Sequence, residues 1–322
     1  LDNPILKNKF FLKGINYFPN KFYNKNKFDP IEYKRLEESC FKLLKSFIEL
    51  NSLKDIEELL LTELKKSIKY YLVSKNKSKK YFSKFTSLKK IFLISWYVPD
   101  TMGIIAAARQ LGIATIEVQH GQQGKFHAGN SGWNFFPENG YLNMPDKFWC
   151  WDEKSIKNIL KQSPNRKFHK PILGGYSWPI WYKTHSKTND NKNSIKATKI
   201  RLLFTMQIKQ GLTNNEPLPK VLLELIKYYE NLYNKTSAKI FEIKIRLHPN
   251  CLSENLSYLK KRLDKSFESD LVTYSSKLNG CFYDDLLWSS HHLTLYSSCA
   301  LEALIFGIKS AVYGDEAYKI YE

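Results

Sequence analysis

The chain has 322 residues, of which 43% are hydrophobic and 25% charged, with a formal net charge of +19. That is enough apolar residue for two packed domains and too much for a disordered chain. The longest apolar runs, KIFLISWYV and TKIRLLFTM, fall well short of the ~20 residues a membrane span requires. The charge admits nucleic acid, an anionic membrane face or an acidic substrate as partner, but lysine is spread evenly through stretches such as NKFYNKNKF and SKNKSKKYFSK, as a bias in base composition would also leave it. Five cysteines, Cys40, Cys150, Cys251, Cys281 and Cys299, show neither CxxC spacing nor a pairing rhythm, which argues against a disulfide framework or a structural zinc and for a reducing cytoplasm. The sequence opens at Leu1 without a charged segment leading into an apolar one, so no export signal is expected.

Residues 1–50 are aromatic and basic with little periodicity and predict no defined element. In SLKDIEELLLTELKKSIKYYL, Leu53, Ile56, Leu60, Leu64, Ile68 and Tyr71 recur at three and four, the spacing of an amphipathic helix. From residue 90 the pattern changes to alternation. KIFLISWYV (90–98) predicts a buried strand, TMGIIAAARQLG (101–112) a helix, and ATIEVQ (114–119) a second strand, parallel to the first by the right-handed crossover rule. A glycine- and amide-rich loop follows, then a strand at DKFWCW (146–151), a polar helix from Glu153 and a strand at KPILGGYSW (170–178). Residues 183–199 are polar and unpatterned and predict a linker.

Alternation then resumes. IRLLFTM (200–206) is a strand, LPKVLLELIKYYENLY (218–233) a helix, and KIFEIKIRLHP (239–249) a strand ending at His248-Pro249. A helix at SENLSYLKKRLD, strands at LVTYS, HLTLYS and KSAVYG, and helices at YDDLLWS and CALEALIFG complete the count. This predicts a doubly wound parallel sheet with helices on both faces. The expected organisation is an N-terminal helical, basic extension over 1–85, a Rossmann-like domain over 86–185, a linker over 186–199 and a second Rossmann-like domain over 200–322.

Open α/β sheets bind ligands at the carboxyl ends of their strands, and three such ends hold chemistry. At Gln119-His120-Gly121 an apolar strand stops on an imidazole. Ile116, Val118 and His120 share a face by alternation, Gly121 permits close approach of a ligand, and His127 lies in the same loop. At Arg246-Leu247-His248-Pro249 the two basic residues alternate to one side and the proline stops the strand. At Ser297-Ser298 two hydroxyls stand between a strand and a helix that contains Glu302, where backbone N–H groups favour an anion. Asp284 and Asp285 begin a helix and would diverge, so a capping role is expected of them rather than a metal site.

The order QHG, HP, then SS-x-x-x-E followed by ALIFGIKSAVYG resembles bacterial GT-B glycosyltransferases of surface polysaccharide assembly. It is similar in particular to the sialyl- and Kdo-transferases of capsule and lipooligosaccharide with their HP and Ser-Ser motifs, and to the CDP-glycerol glycerophosphotransferases. The resemblance covers residues from about 90 onward. It implies an α/β GT-B fold, two Rossmann-like doubly wound domains facing across a cleft, with the acceptor on the first domain and the donor on the second. His120 would be the catalytic base, with Gln119, Gly121 and His127 on the acceptor side. Arg246, His248, Ser297, Ser298 and Glu302 would bind the donor. The acidic triplet that carries the base in the sialyltransferases is absent before the HP motif, where QHG stands instead, which favours a histidine base.

The expected activity is therefore inverting, metal-independent glycosyl transfer with a nucleotide sugar as co-substrate and no further cofactor. A CMP-activated nonulosonate or Kdo fits the motifs, and UDP and GDP donors stay open. The acceptor would be an oligosaccharide or lipid-linked glycan of a capsule or lipopolysaccharide. The site would be the cytoplasm or the inner face of the plasma membrane, where the lysines meet anionic lipid. Alternatives are a glycerophosphotransferase, or an epimerase or hydrolase acting on the nucleotide sugar; a nucleic-acid partner is not expected, because no basic-aromatic recognition element is present. GT-B chains end in helices that return to the first domain, so further residues after Glu322, or a shortened domain, are expected.

Overall fold

A computed structural model describes residues 28–51, 53–121, 129–130, 133, 136–161, 166–186, 199–207, 218–236, 241–251, 253–264, 272–277 and 279–314. The chain divides into two units, Leu1–Gly175 and Tyr176–Glu322.

The first unit opens with helix α1 (Pro30–Leu50), within the segment for which no defined element was expected. Its start is nevertheless chemically marked. Asp29 caps it by accepting from the Ile31 N–H at 2.9 Å, and Pro30 takes the first helical position, where its missing N–H costs nothing. Only Ile48 is fully buried on this helix, but Tyr33, Leu36, Cys40, Leu44 and Ile48 recur at three and four on its less exposed face, an apolar stripe that the sequence reading passed over. A 3-10 turn (Lys54–Ile56) leads into α2 (Glu57–Phe82), the expected amphipathic helix. Lys75 of α2 pairs with Glu32 of α1.

Helix α2 lies backbone to backbone on α3 (Pro99–Gln110). A side chain at Gly103 would stand 2.4 Å from the Tyr71 carbonyl oxygen and 2.8 Å from the Lys75 nitrogen, so only glycine permits this crossing. Ser74 seals it by donating to the Asp100 carbonyl at 2.8 Å.

Strands β1 (Lys90–Leu93), β2 (Ala114–Val118), β3 (Lys147–Cys150) and β4 (Lys170–Leu173) form a parallel sheet in that order. Ile91, Leu93, Phe148 and Cys150 pack with Trp96, Ile105 of α3 and Ile159 of α4 (Glu153–Leu160) into one core. Each strand joins its sequence neighbour on the same side, so right-handed crossovers put α3 and α4 on one face. The opposite face carries Phe92, Ile116, Trp149 and Ile172 around a depression of about 240 Å³. At β4 the chain leaves through Gly174 and Gly175. The Trp149 ring lies where a Gly174 side chain would be, and Gly175 has φ +74°, a conformation for which glycine is suited.

The second unit begins with α5 (Ser177–His185). The sequence places this segment at the end of the first domain; the structure packs it onto the second, because Tyr182 donates to Asp284 at 2.8 Å and Lys183 to the Ile305 carbonyl at 2.6 Å. The expected linker falls almost wholly outside the described residues. There follow β5 (Ile200–Thr205), α6 (Lys220–Thr236), β6 (Phe241–Arg246), α7 (Ser253–Asp264), β7 (Val272–Ser275), α8 (Phe282–Trp288), β8 (His291–Thr294), α9 (Cys299–Ile305) and β9 (Lys309–Val312). All five strands are parallel, in the order β7-β6-β5-β8-β9.

The chain thus winds outward from β5, returns, and winds out the other way. Helices cover both faces: Leu222, Ile226 and Leu259 of α6 and α7 line one core, and Leu286 and Ala303 of α8 and α9 the other. The switch point lies between β5 and β8, and there an open α/β sheet forms its ligand crevice. None of the five cysteines forms a disulfide, and burial pushes the Cys150 and Cys299 thiols up to about 12.

Candidate functional site

In the first unit the expected strand over 90–98 stops at Leu93, because Ser95 turns the chain with φ +53° and Pro99 starts α3. That turn faces the end of β2. His120 is exposed there, with its Nε2 3.2 Å from the Ser95 hydroxyl. Gln119, expected on the acceptor side, instead points inward. It is 3% exposed, its Oε1 accepts from the Trp151 N–H at 2.7 Å, and its Nε2 donates to the Gly121 carbonyl at 2.9 Å. It brackets the β2 and β3 ends and so fixes the root of the segment bearing His120. Among the described residues nothing lies within 4 Å of a side chain built at Gly121, so their packing does not demand glycine there. His127 lies outside the described residues.

Beneath the turn sits a group that strand alternation alone did not single out. Glu117 is fully buried in β2; its Oε1 accepts from the Trp96 N–H at 3.3 Å, and the Ser95 N–H also donates to the carboxyl. Among the described residues its Oε2 has no hydrogen-bond partner. Burial pushes its pKa up to about 8, against the pull of those two amides, so the carboxyl is largely protonated at neutral pH. The Trp96 indole is buried as well, donating to the Gly129 carbonyl at 2.9 Å and to Asn130 Oδ1 at 3.0 Å. Nearby, His169 is a structural histidine. Its Nε2 accepts from the Tyr141 N–H and its Nδ1 faces the Pro145 carbonyl, both at 2.7 Å; burial lowers its pKa to about 4.

In the second unit His248 stands just beyond β6. Its Nδ1 accepts from the Asn250 N–H at 3.2 Å, which leaves the ring proton on Nε2, a donor suited to a phosphate oxygen. Partial burial, and secondarily Lys277, lower its pKa. Arg246, expected beside it as a donor ligand, is turned inward. Its guanidinium donates to Asp285 at 2.6 Å and to the Gly280 carbonyl at 3.1 Å. Asp285 also accepts from Lys244 at 3.0 Å and from Ser275 at 2.6 Å. The expected capping role for the aspartates gives way to this. Cys281 is the N-cap of α8 and makes no side-chain cap, Asp285 is the buried anchor of two cations, and Asp284 faces Tyr182.

Ser297 and Ser298 lie between β8 and α9 as expected. Ser297 Oγ accepts from the Cys299 N–H at 3.3 Å, and Ser298 makes no side-chain cap. The helix that follows has only 7 residues, so its dipole adds little and the hydroxyls themselves are what an anion would meet. Glu302 is buried, and its Oε1 accepts from Tyr176 at 2.6 Å and Tyr283 at 3.0 Å. Burial raises its pKa. The residue expected to bind the donor is therefore a knot that ties α8 and α9 to the start of α5.

At the switch point the sequence reading passed over four residues. Thr205 ends β5 with its hydroxyl 2.9 Å from His292 Nε2, Thr294 donates to the Thr205 carbonyl at 3.2 Å, and the Ser310 hydroxyl lies 2.9 Å from His292 Nδ1. Burial lowers the His292 pKa to about 4. The signal was present as a threonine near the end of each of two strands, LLFTM and HLTLY, but without the sheet order nothing made those strands neighbours.

These two parallel α/β units define a GT-B-like fold. No protein-family model matches the chain, and no curated protein does. Among solved structures it is similar to MnaA of S. aureus, determined with UDP, at 15% identity and TM-score 0.50 over 74% of this chain and 61% of that one. It is equally similar to a Listeria monocytogenes protein described as a UDP-N-acetylglucosamine 2-epimerase, at 14% identity and TM-score 0.50 over 77% and 62%. The wall teichoic acid polymerase TagF aligns at 14% identity and TM-score 0.42 over 79% and 67%. At these identities the likeness is one of fold, and the chain spans about three-fifths of the length of the first two.

Proposed function

We propose that the chain is a nucleotide-sugar-dependent enzyme of GT-B type that transfers the sugar to a glycan hydroxyl, with His120 as general base. The observation that carries this reading is His120 itself: an exposed imidazole at the carboxyl end of a parallel strand, held by a hydroxyl from the neighbouring strand's turn. The nucleotide belongs to the second unit, near the β5/β8 switch point, with the His248 ring N–H and the Ser297 and Ser298 hydroxyls as phosphate ligands. Hydrogen bonds to a charged phosphate contribute ~1.5 to 3 kcal/mol each. Arg246 and Glu302 act in this reading by holding the fold beneath the nucleotide.

No residue described here selects a base. The motif resemblance favours CMP, whereas MnaA was determined with UDP, so UDP, CMP, CDP and GDP are titrated in parallel. One of them should bind, and His248→Ala or Ser298→Ala should weaken that binding. With the corresponding sugar donor, His120→Ala should lower transfer roughly a hundred- to ten-thousandfold while leaving nucleotide affinity and melting temperature unchanged, since the ring is exposed. Full transfer by His120→Ala removes the base assignment. A second reading, epimerisation or hydrolysis of the donor, is favoured by the likeness to a protein described as an epimerase, and donor turnover without any acceptor would select it.

A further inference from the structure

We propose that helix α1 is the seam along which two copies of this chain pair, antiparallel about a two-fold axis at Leu43. Beside the stripe that faces α2, α1 carries a second one, Leu36, Leu43, Phe47 and Leu50, with Leu36 common to both. The three leucines stand seven residues apart and Phe47 falls between the last two at four and three, the repeat of a seam between helices. The structure leaves this stripe open. Leu43 is 73%, Phe47 52% and Leu50 85% exposed, and α1 packs on α2 without a comparable contact to any other described element. By helical periodicity the residues bordering the stripe on its open side are Ser39 and Ser46, whose hydroxyls turn back onto the Arg35 and Lys42 carbonyls at 2.9 and 3.1 Å. From Leu36 to Leu50 this face therefore presents no charge, on a chain in which 25% of residues are charged.

Charge, size and shape decide what covers it. Residues 29–69, the arm made by α1 and the first half of α2, hold nine acidic and eight basic residues within a chain of net charge +19. Anionic lipid and nucleic acid are thus drawn to the remainder of the molecule rather than to the arm. Leu43, Phe47 and Leu50, with Ile56 and Leu59 at the turn that follows, expose roughly 600 Å², taking ~200 Å² for a whole large apolar side chain. Two such surfaces reach about 1,200 Å², the size at which specific interfaces begin. The stripe is also complementary to itself, as an isologous contact requires. Antiparallel pairing about Leu43 sets Leu43 against the partner's Leu43, Leu36 against the partner's Leu50, and the Phe47 ring over the partner's Ser39, a large side chain over a small one. On the same flank Arg35 comes level with the partner's Glu49, so the ends of the seam carry opposite charges.

Sedimentation equilibrium of the full chain over a range of concentrations tests this. Wild type should approach twice its 37.8 kDa and should do so at high salt as well, since the seam is apolar. Leu43→Lys places two ammonium groups on the axis and should weaken pairing at least roughly a hundredfold. The melting temperature of the dissociated chain should not move, because the side chain is exposed. Ser39→Phe sets ring against ring and should also weaken pairing, whereas the exchanged variant Ser39→Phe, Phe47→Ser should recover it, which only this register predicts. A monomer at every concentration overturns the proposal. So does a dimer indifferent to Leu43→Lys, a failure of the exchanged variant to recover pairing, or a monomer that binds anionic vesicles through Leu43 and Phe47.

Discussion

Glu117 shows how a single buried carboxyl leaves a signature in solution. Its pKa is raised by burial from 4.5 to about 8, so the folded chain holds a proton that the unfolded chain releases near 4.5. The stability associated with that proton is fully present below about pH 4.5 and is lost progressively as pH rises through about 8, at up to ~1.4 kcal/mol per pH unit. Glu117→Gln keeps an oxygen for the Ser95 and Trp96 amides and removes the titration. Urea midpoints measured from pH 5 to 9 should therefore show wild type losing ground to Glu117→Gln with increasing pH, with the difference levelling off above pH 8. Parallel curves would mean that the carboxyl is charged in the folded state throughout.

At the scale of elements, β6, β7 and α8 are joined through Asp285, whose single carboxylate pairs with both Arg246 and Lys244 where the aspartate side chain is only 7% exposed. Removing one partner of a buried pair leaves an uncompensated charge, at a cost of about 3–5 kcal/mol. Asp285→Asn should thus lower the unfolding free energy of the second unit by that order, and a Lys244→Met, Arg246→Met, Asp285→Leu triple variant, which removes both cations with their shared carboxylate, should recover most of it. Chemical denaturation with Trp288 of α8 as local probe measures both.

The same residues mark where sequence reading succeeds and where it stops. Alternation along IRLLFTM and FEIKIRL and the amphipathic pattern of the α6 segment made the doubly wound unit legible, because burial imposes those periods directly. Strand ends were legible too, since His120, His248 and the Ser297–Ser298 pair interrupt apolar runs. The direction of a side chain at a strand end was not. Arg246 turns inward because Asp285, dozens of residues later, waits there; Glu302 turns inward because Tyr176 and Tyr283 do. Helix α1 escaped notice because its apolar stripe, Tyr33, Leu36, Cys40, Leu44 and Ile48, is only partly buried and lies among charged residues, and Glu117 because a charged residue within an apolar strand has no local partner to explain it.

For the whole molecule, the described helices include none long and apolar enough to cross a membrane, and the net charge of +19 bears on encounter with polyanions and anionic surfaces rather than on the fold. The two strand orders have a separate consequence, for the time the chain needs to fold. In the first sheet every strand pairs with its nearest neighbours in sequence, and Thr115 of β2 and Asp146 beside β3 are 31 residues apart. In the second, the central pairing of β5 with β8 must wait for the loop between them to close; Thr205 and Thr294 are 89 residues apart. Since folding slows as pairing grows less local, pulsed hydrogen exchange during refolding should protect the amides of β1–β4 before those of β5 and β8. A chain emerging from the ribosome would then carry its first sheet already formed while β5 is still without β8, so the interval before the second sheet closes is when the protein is most exposed to misassociation.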